Sequence, residues 1–210
     1  MTKSVFLTGV LLMLASWGCG TVNRCIVVED GKTVDRSLYS VNGSIRVGHN
    51  CTVKGAIQTV NGAITIEPDS IVHGTVASVN GSVRLAQNVT LENDLKSING
   101  SIHANHGCTI EGGIASVNGT IQLVETFVGK ELSTYTGRIT ISDHSTVKGN
   151  IRIRKSDSVY RGSRLTIVIE RESVVHGDII NENPQIKVLV QLKENARVDG
   201  KLKNVSLEQP

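Results

Sequence analysis

The stretch Ser-Val-Asn-Gly-Ser-Ile at residues 40–45 returns four more times along the chain with small changes. The copies are TVNGAI at 59–64, SVNGSV at 78–83, SINGSI at 97–102 and SVNGTI at 116–121, so each begins 19 residues after the last. A unit this short cannot bury an apolar face by itself and must stack on copies of itself. The fixed period therefore predicts a solenoid.

Aliphatic residues recur within each unit at intervals of six, six and seven, as at Val41, Val47, Val53 and then Val60. This spacing predicts three short sides per turn. Apolar and polar residues alternate around these positions, which is the period of a strand and not of a helix. Frequent Gly, with many Val, Ile and Thr residues, also disfavours helix. We predict an all-β fold, a single-stranded three-sided parallel β-helix with 19 residues per turn.

The register continues beyond the last complete phrase, with loop insertions around residues 155–164 and 181–185. We expect the β-helix to span residues 38–204 as one domain, after a linker or entry turn at 20–37 and before a tail at 205–210. Eight turns, at about 4.8 Å between stacked strands, make a rod on the order of 40 Å long. Right-handed winding is favoured because parallel connections nearly always take that hand. A left-handed helix of hexapeptides also has six-residue sides and stays open as an alternative.

The Asn-Gly pairs are predicted to form one corner of each turn. Glycine supplies a backbone with positive φ there, and stacked asparagines can hydrogen-bond from turn to turn as a ladder. The predicted ladder comprises Asn42, Gly43, Asn61, Gly62, Asn80, Gly81, Asn99, Gly100, Asn118 and Gly119. Most of these asparagines also begin an N-x-S/T sequon, so glycosylation is an alternative, but the fixed period explains the pattern without it.

Residues 1–19 are typical of an export signal, with Lys3 at the start, an apolar run at 6–15 and Gly18-Cys19 at the end. The run is too short to span a bilayer as a mature helix. A small residue directly before cysteine resembles the bacterial lipoprotein signal, which implies lipidation at Cys19 and a lipid anchor in a membrane. Because Gly20 is not the Asp that retains enteric lipoproteins at the inner membrane, the resemblance implies an outer-membrane lipoprotein facing the periplasm. Ordinary signal cleavage, giving a secreted or periplasmic protein, is the alternative.

The remaining cysteines follow the repeat. Cys51 and Cys108 are three whole units apart, so they occupy the same position of the turn. Three turns separate them by roughly 14 Å, well beyond the reach of a disulfide, which needs Cα atoms within about 7 Å. We predict that both point inward as small core residues. Cys25 lies about one turn before Cys51, and a bridge between those two stays open.

The sequence predicts no catalytic residue, no metal site and no cofactor. No nucleophile is paired with a base at a spacing that the repeat enforces, and no close Cys or His spacing suggests a metal. A polysaccharide-active enzyme or an acyltransferase is the least favoured alternative, and it would depend on His103, His106 or His144. Aromatic residues, at 3% of the chain, are too few for a sugar-binding platform.

One run of basic residues stands out in the second half of the chain, opposed locally by the single acid Asp157. It consists of Arg152, Arg154, Lys155, Arg161 and Arg164. These cations are a candidate contact for an anionic envelope component, either lipid or glycan, and a solvated loop is the alternative. Nucleic acid is a poor partner, because the net charge is only +3 and no binding motif is present.

Six segments share an aliphatic-x-Gly-x-aliphatic spacing: TVKGAI (52–57), IVHGTV (71–76), TIEGGI (109–114), TVKGNI (146–151), VVHGDI (174–179) and RVDGKL (197–202). They resemble the bactofilins, bacterial polymer-forming cytoskeletal proteins, over nearly all of residues 38–204. The resemblance implies a right-handed β-helix whose ends stack without nucleotide into filaments, often at a membrane. Bactofilins are cytoplasmic, whereas this chain begins with an export signal.

Together these features predict a non-enzymatic structural or scaffold protein of the cell envelope that associates end to end into a homo-polymer. The alternative function is an envelope binding module for an anionic glycan or lipid.

Overall fold

The computed structural model describes residues 23–155 and 164–208. Over these residues the chain is all-β and winds through three parallel sheets, which we name A, B and C. Each turn adds one strand to sheet B, then one to sheet C and one to sheet A. The predicted parallel β-solenoid, with three strands and about 19 residues per turn, is confirmed. The hand of the winding stays a prediction.

Sheet B contains β1 (Ile26–Val28), β4 (Ile45–Val47), β7 (Ile64–Ile66), β10 (Val83–Leu85), β13 (Ile102–Ala104), β16 (Thr120–Val124), β19 (Arg138–Ser142), β22 (Arg164–Ile169), β25 (Lys187–Leu192) and β28 (Ser206–Glu208). Sheet C contains β2 (Thr33–Val34), β5 (Thr52–Val53), β8 (Ile71–Val72), β11 (Thr90–Leu91), β14 (Thr109–Ile110), β17 (Phe127–Val128), β20 (Thr146–Val147), β23 (Val174–Val175) and β26 (Arg197–Val198). Sheet A contains β3 (Leu38–Ser40), β6 (Ile57–Thr59), β9 (Val76–Ser78), β12 (Leu95–Ser97), β15 (Ile114–Ser116), β18 (Leu132–Thr134), β21 (Ile151–Ile153), β24 (Ile179–Asn181) and β27 (Leu202–Lys203).

The solenoid extends further in both directions than the predicted residues 38–204. Strands β1 and β2 pair with β4 and β5, so an additional first turn begins at Ile26. At the other end β28 pairs with β25. The expected eight turns are therefore too few, and the rod has about nine turns. The first turn lacks the Asn-Gly phrase, but its Ile26 and Val34 lie one repeat unit before Ile45 and Val53 and reveal its register.

The core consists of columns, by which we mean residues at the same position of successive turns. Sheet B supplies two inward columns of aliphatic residues, and sheets A and C supply one such column each. One sheet B column is aliphatic in every turn: Ile26, Ile45, Ile64, Val83, Ile102, Ile121, Ile139, Ile167, Val190 and Leu207. Away from the two ends of the rod, its members have no exposed surface.

The aliphatic residue of the Asn-Gly phrase does not belong to this core, contrary to the predicted spacing. Val41 is 38% exposed, whereas Ser40 before it is buried. The serine or threonine of the phrase occupies the inward position, and strand alternation turns the next residue outward. Its hydroxyl satisfies the corner backbone: Thr59 donates to the carbonyl of Gly43 at 3.1 Å, and Ser78 to that of Gly62 at 3.2 Å.

The Asn-Gly corner joins sheet A to sheet B, and its glycines are needed for a different reason from the predicted one. Of the five, only Gly119 has a positive φ. A Cβ on Gly81 would instead overlap the backbone carbonyl of Gly62 one turn below. Close stacking of backbones therefore selects glycine here. Most of the left-handed residues other than glycine lie at the corner between sheets B and C, where Asn50 and Asp69 have φ of 53° and 60°, whereas Asn23 and Asn204 lie at the corner between sheets A and B.

Irregular turns keep the columns in register. The turn from Ile121 to Ile139 is one residue short of the regular unit, and the two turns that follow, which end at Ile167 and Val190, are longer than it. The extra residues lie between β21 and β22 and between β24 and β25, at the places where the sequence predicted insertions. Insertions are thus confined to one corner, and the pairing on all three sheets resumes after them.

No helix in residues 23–155 and 164–208 is long and apolar enough to cross a membrane.

Candidate functional site

Two of the predicted functional positions fall outside the described residues. These are Cys19, with the export signal that precedes it, and Arg161 of the basic run. All the other predicted site residues have a defined place in the solenoid.

The asparagines of the repeated phrase stack along one corner. The amide nitrogen of Asn61 donates to the side-chain oxygen of Asn42 at 2.7 Å, Asn80 donates to Asn61 at 2.8 Å, and Asn99 donates to Asn80 at 3.0 Å. Asn42 in turn donates to Asn23, which extends the stack by one turn at the N-terminal end. This asparagine ladder is exposed to solvent and links five successive turns from outside the core.

The predicted basic run is divided between two sides of the rod. Arg152 and Arg154 belong to sheet A or follow it directly, whereas Arg164 begins β22 of sheet B. Lys155 follows Arg154 and is exposed. Because the chain folds these residues onto different faces, they do not form the single basic surface that their proximity in sequence suggested.

Arg152 and Arg154 are also paired with acids from neighbouring turns. Arg152 lies 2.8 Å from Glu131 in the turn below and 2.9 Å from Glu182 in the turn above. Arg154 lies 2.6 Å from Glu131. The hydrogen bond that Arg152 donates to Glu182 raises the pKa of Arg152 further above its ordinary value. Local sequence indicated only Asp157 as an acid near these cations. Glu131 and Glu182 lie far from Arg152 along the chain, in other turns, and the fold brings them next to it.

A row of cations on the outer face of sheet B was not predicted. Its members are the exposed side chains of Arg46, Arg84, Arg138, Arg164 and Lys187. Among the described sheet B strands the one carboxylate is Glu208, at the C-terminal end. Arg46 is paired with Glu67 at the corner, at 2.9 Å. The signal in the sequence was periodic only for Arg46 and Arg84, which lie two repeat units apart in one outward column. Arg138 lies in a second outward column, and Arg164 and Lys187 pair with each other in a third. We call these five residues the basic row.

The histidines considered for catalysis each contact a separate partner in the next turn. The Nδ1 atom of His103 lies 3.2 Å from the side-chain oxygen of Gln122, that of His106 lies 3.1 Å from Glu125, and that of His144 lies 3.5 Å from Glu172. These contacts are on the surface and bridge adjacent turns. Within residues 23–155 and 164–208, no three His, Cys, Asp or Glu residues are grouped as a metal site requires.

The described cysteines carry free thiols. Cys51 and Cys108 are buried in one column, as their spacing predicted. Their thiols donate to backbone carbonyls, from Cys108 to Ala86 at 2.9 Å, and burial raises the pKa of Cys108. Cys25 is exposed and unbridged. It directly precedes β1, level with Ser44 in the next turn, so it does not lie over Cys51.

A shallow depression of about 200 Å³ lies on the outer face of sheet A. Lys96, Lys130, Glu131 and Ser133 line it together with small residues such as Ala115. The lining places opposite charges side by side and contains no cysteine or histidine. It offers neither a nucleophile paired with a base nor a surface of one charge.

The two ends of the rod differ from its sides because, among the described residues, their strands lack a neighbour on one edge. At the N-terminal end β1, β2 and β3 are the first strands of their sheets, and at the C-terminal end β26, β27 and β28 are the last. The inward aliphatic residues are only partly buried there: Ile26 and Val34 at one end, and Leu192, Ala196, Val198, Leu202 and Val205 at the other. Such edges offer unpaired backbone groups to another strand.

Comparison of the chain with models of known protein families, with curated proteins and with solved structures gives no match. The resemblance to bactofilins in the glycine-containing segments stays a prediction from the sequence. The assignment of this chain to the parallel β-solenoids is based on its own strand pairing and register.

Proposed function

We propose that this protein is a non-enzymatic structural rod of the bacterial cell envelope, lipid-anchored through Cys19, that associates with further copies through its ends. The observation that carries this proposal is the open edge at each end of a continuous three-sheet solenoid. Unpaired strands and partly buried aliphatic residues meet there, and both are satisfied by another strand layer. Contacts between unlike ends repeat without closing and give linear assemblies.

The sides of the rod support the same proposal. Charged side chains on several turns are paired with partners one turn away, as Lys54 is with Asp35 and Arg152 with Glu131. These pairs bridge neighbouring turns and belong to the solenoid itself. A rod with paired charges on its sides and unpaired strands at its ends has its strongest site for association at the ends.

The test of association uses the purified full chain in mild detergent, observed by negative-stain electron microscopy and multi-angle light scattering over a range of concentrations. The proposal predicts linear assemblies whose length grows with concentration, in steps of one rod of about 45 Å for nine turns at roughly 4.8 Å each. Particles that stay one rod long at every concentration contradict it.

The test of anchoring is separate. We expect the mature protein in a bacterial host to fractionate with membranes and to carry a lipid on Cys19, identified by mass spectrometry of its N-terminal peptide. The variant Cys19→Ser should lose that mass and leave the membrane fraction. An unmodified mature N-terminus would remove the anchor and leave a secreted or periplasmic rod.

A second candidate function is contact with an anionic surface, and the basic row on sheet B favours it. Four of its cations, Arg84, Arg138, Arg164 and Lys187, lie on one face whose described strands carry a single carboxylate. Replacing these four with serine should abolish binding of the full chain to vesicles that contain anionic phospholipid. The matched control replaces four cations that are paired with carboxylates, Arg152, Arg154, Arg171 and Lys203, and should leave binding unchanged. Equal binding by all three proteins would exclude this function.

A further inference from the structure

The three sheets do not contain equal numbers of strands. Sheets A and C have nine strands each, whereas sheet B has ten. The additional strand is β28 at residues Ser206–Glu208, which pairs with the C-terminal edge of β25. No strand of sheet C or sheet A follows β28 among the described residues. The last layer of the rod is therefore one strand of an unfinished tenth turn.

This unfinished turn conflicts with continuous stacking of a second copy. Inside the rod, each turn adds one strand to each sheet. A joint in which each sheet is continued by the same sheet of a second copy therefore places the incoming β1, β2 and β3 on β25, β26 and β27. The edges of β26 and β27 are open for this. The edge of β25 is occupied by β28. The incoming β1 and the resident β28 thus require the same backbone hydrogen-bonding groups.

The strand β28 is held more loosely than the strands below it. All three of its side chains are exposed. Leu207 occupies the inward column of Val190 but is 44% exposed, because no layer covers it. Besides the backbone pairing, one side-chain hydrogen bond holds it, from Gln191 to Glu208 at 2.7 Å. Such a strand can be exchanged for an equivalent one at little cost.

The first turn of a second copy fits the vacated edge in both shape and chemistry. Ile26, Val34 and Leu38 would continue the inward columns that end in Val190, Val198 and Leu202. Aliphatic residue would meet aliphatic residue in each of the three sheets, as it does at every turn within the rod.

The charges at this joint are mixed and do not select the partner. Lys193 would face Glu29 of the second copy, whereas Asp199 would face Asp35. The backbone edges and the aliphatic columns would therefore provide the binding energy.

We infer that β28 is a displaceable cap, occupying the edge of β25 at which the first strand of a second copy binds. The cap limits end-to-end association, and its release leaves nine strands in each sheet and a continuous joint. This inference rests on the proposed function, since it concerns the partner and the regulation of the same ends.

The experiment compares three proteins by light scattering and negative-stain microscopy: the full chain, a chain that ends at Asn204 and lacks β28, and a control that ends at Glu208 and retains it. We expect the chain ending at Asn204 to form linear assemblies at a concentration about tenfold or more below that needed by the other two, a difference of about 1.4 kcal/mol. A fourth protein adds Ile26→Lys to the chain ending at Asn204. It places a charge in the incoming β1 and should return the particles to single rods.

The outcomes separate the cap from the association itself. If all chains assemble at the same concentration, β28 is not a cap, whereas end-to-end association stands. Loss of assembly in the chain ending at Asn204 alone would make β28 part of the contact and overturn the inference. If the chain ending at Asn204 aggregates and Ile26→Lys does not prevent this, the aggregation is non-specific. That outcome would also overturn the inference. If none of the chains assembles at any concentration, the proposed association fails together with its cap.

Discussion

The turns in residues 40–121, which we call the regular half, and those in residues 138–208, which we call the irregular half, share their core but differ in their outer contacts. Both halves continue the same aliphatic columns, from Ile64 to Ile167 and Val190. The regular half adds the asparagine ladder at one corner. The irregular half has lost that phrase and contains both insertions. Ion pairs join neighbouring turns in both halves, such as Arg171 with Asp143 in the irregular half and Arg46 with Glu67 in the regular half.

The difference shows which constraint defines a turn. The inward columns and the backbone ladders tolerate turns that are shorter or longer than the regular unit, whereas the corner phrase is present only where the unit is regular. Ion pairs link turns on the surface of both halves, and in the regular half the neutral amide bonds of the ladder add to them. The columns are the shared requirement.

The largest effect is expected from cavities in the shared column. Ile102→Ala in the regular half and Ile139→Ala in the irregular half should each destabilise the rod by about 2–5 kcal/mol, because both side chains are fully buried. Amide hydrogen exchange of the neighbouring turns measures this locally, which suits a repeat protein whose unfolding need not be two-state. Thr65→Ala, on the outer face of β7, is the control and should have little effect. A much smaller loss at Ile139 would mean that the irregular half is not held by its core.

A somewhat smaller effect is expected from crowding the corner. Gly81→Ala should cost about 1–3 kcal/mol because the new Cβ would overlap the carbonyl of Gly62, and relief requires separation of two turns. Gly137→Ala in the irregular half meets the carbonyl of Gly119 and also has a left-handed φ of 108°, so it should cost more. Faster amide exchange in the two turns that flank each glycine would report the separation.

Gly31→Ala provides the matched control for these two variants. Its Cβ would point into open space, so it should cost only the conformational penalty of a left-handed residue, about 1 kcal/mol. A loss in Gly81→Ala no larger than that in Gly31→Ala would show that close stacking does not require glycine at this corner.

The asparagine ladder should contribute less than either the core or the glycines. Asn80→Ala removes two side-chain hydrogen bonds, one to Asn61 and one from Asn99, each with a net worth of about 0.5–1.5 kcal/mol and at the low end because the ladder is exposed. Asn118→Ala, which loses a bond from Thr136, should have about half the effect. Thermal unfolding and amide exchange would test the ratio. An unchanged stability in Asn80→Ala would limit the ladder to setting register.

The smallest effect is expected from acid, and it should be larger in the irregular half. In the regular half burial opposes the lowering of the pKa of Asp94, but hydrogen bonds from Gly113 and Lys96 still lower it. Hydrogen bonds from Arg171, Lys203 and His176 lower the pKa values of Asp143, Asp178 and Asp199 respectively. A carboxyl with a lowered folded-state pKa stabilises the fold above its unfolded pKa of about 3.9, and this stabilisation is lost as the pH falls through the folded value.

Below about pH 4 the amides of the irregular half should therefore exchange faster, whereas those beside the neutral asparagine ladder should not. Exchange measured at matched intrinsic rates tests this difference. Equal acceleration in both halves would remove the distinction between amide links and ionic links.

Much of the fold could be predicted because the residues that contact each other between turns of a solenoid are separated by a fixed number of residues in the sequence. Residues one unit apart are neighbours, so the column of Ile45 and Ile64 and the buried position of Cys51 and Cys108 follow directly from spacing. The first turn was missed because its corner phrase is incomplete: Asn23 is in register with Asn42, but Arg24 follows it where the later copies have glycine. The role of the phrase glycines was misassigned, since close approach of two backbones depends on the distance between turns and not on the local sequence.

The surface could be predicted less well than the core. Glu131 lies beside Arg152 because the two side chains meet diagonally across strands that keep the regular spacing. Glu182 lies beside Arg152 because a longer turn separates Ile151 from Ile179 and shifts the spacing between stacked residues. Proximity along the chain therefore suggested a basic cluster that the fold separates. The proposed lipid anchor depends on residues before Asn23 and stays a prediction from the signal alone.

The orientation of the backbone hydrogen bonds has a mechanical consequence. Every parallel strand pair joins one turn to the next, so these bonds run along the rod and bear any tension applied between its ends. Three sheets share the load at each boundary from β1–β3 up to β25–β27, whereas β28 is attached through one sheet only. Under axial pull the rod should behave as a stiff element that yields first at its last strand, one boundary at a time. If the protein connects envelope layers, β28 would detach under load before any boundary that is held by three sheets.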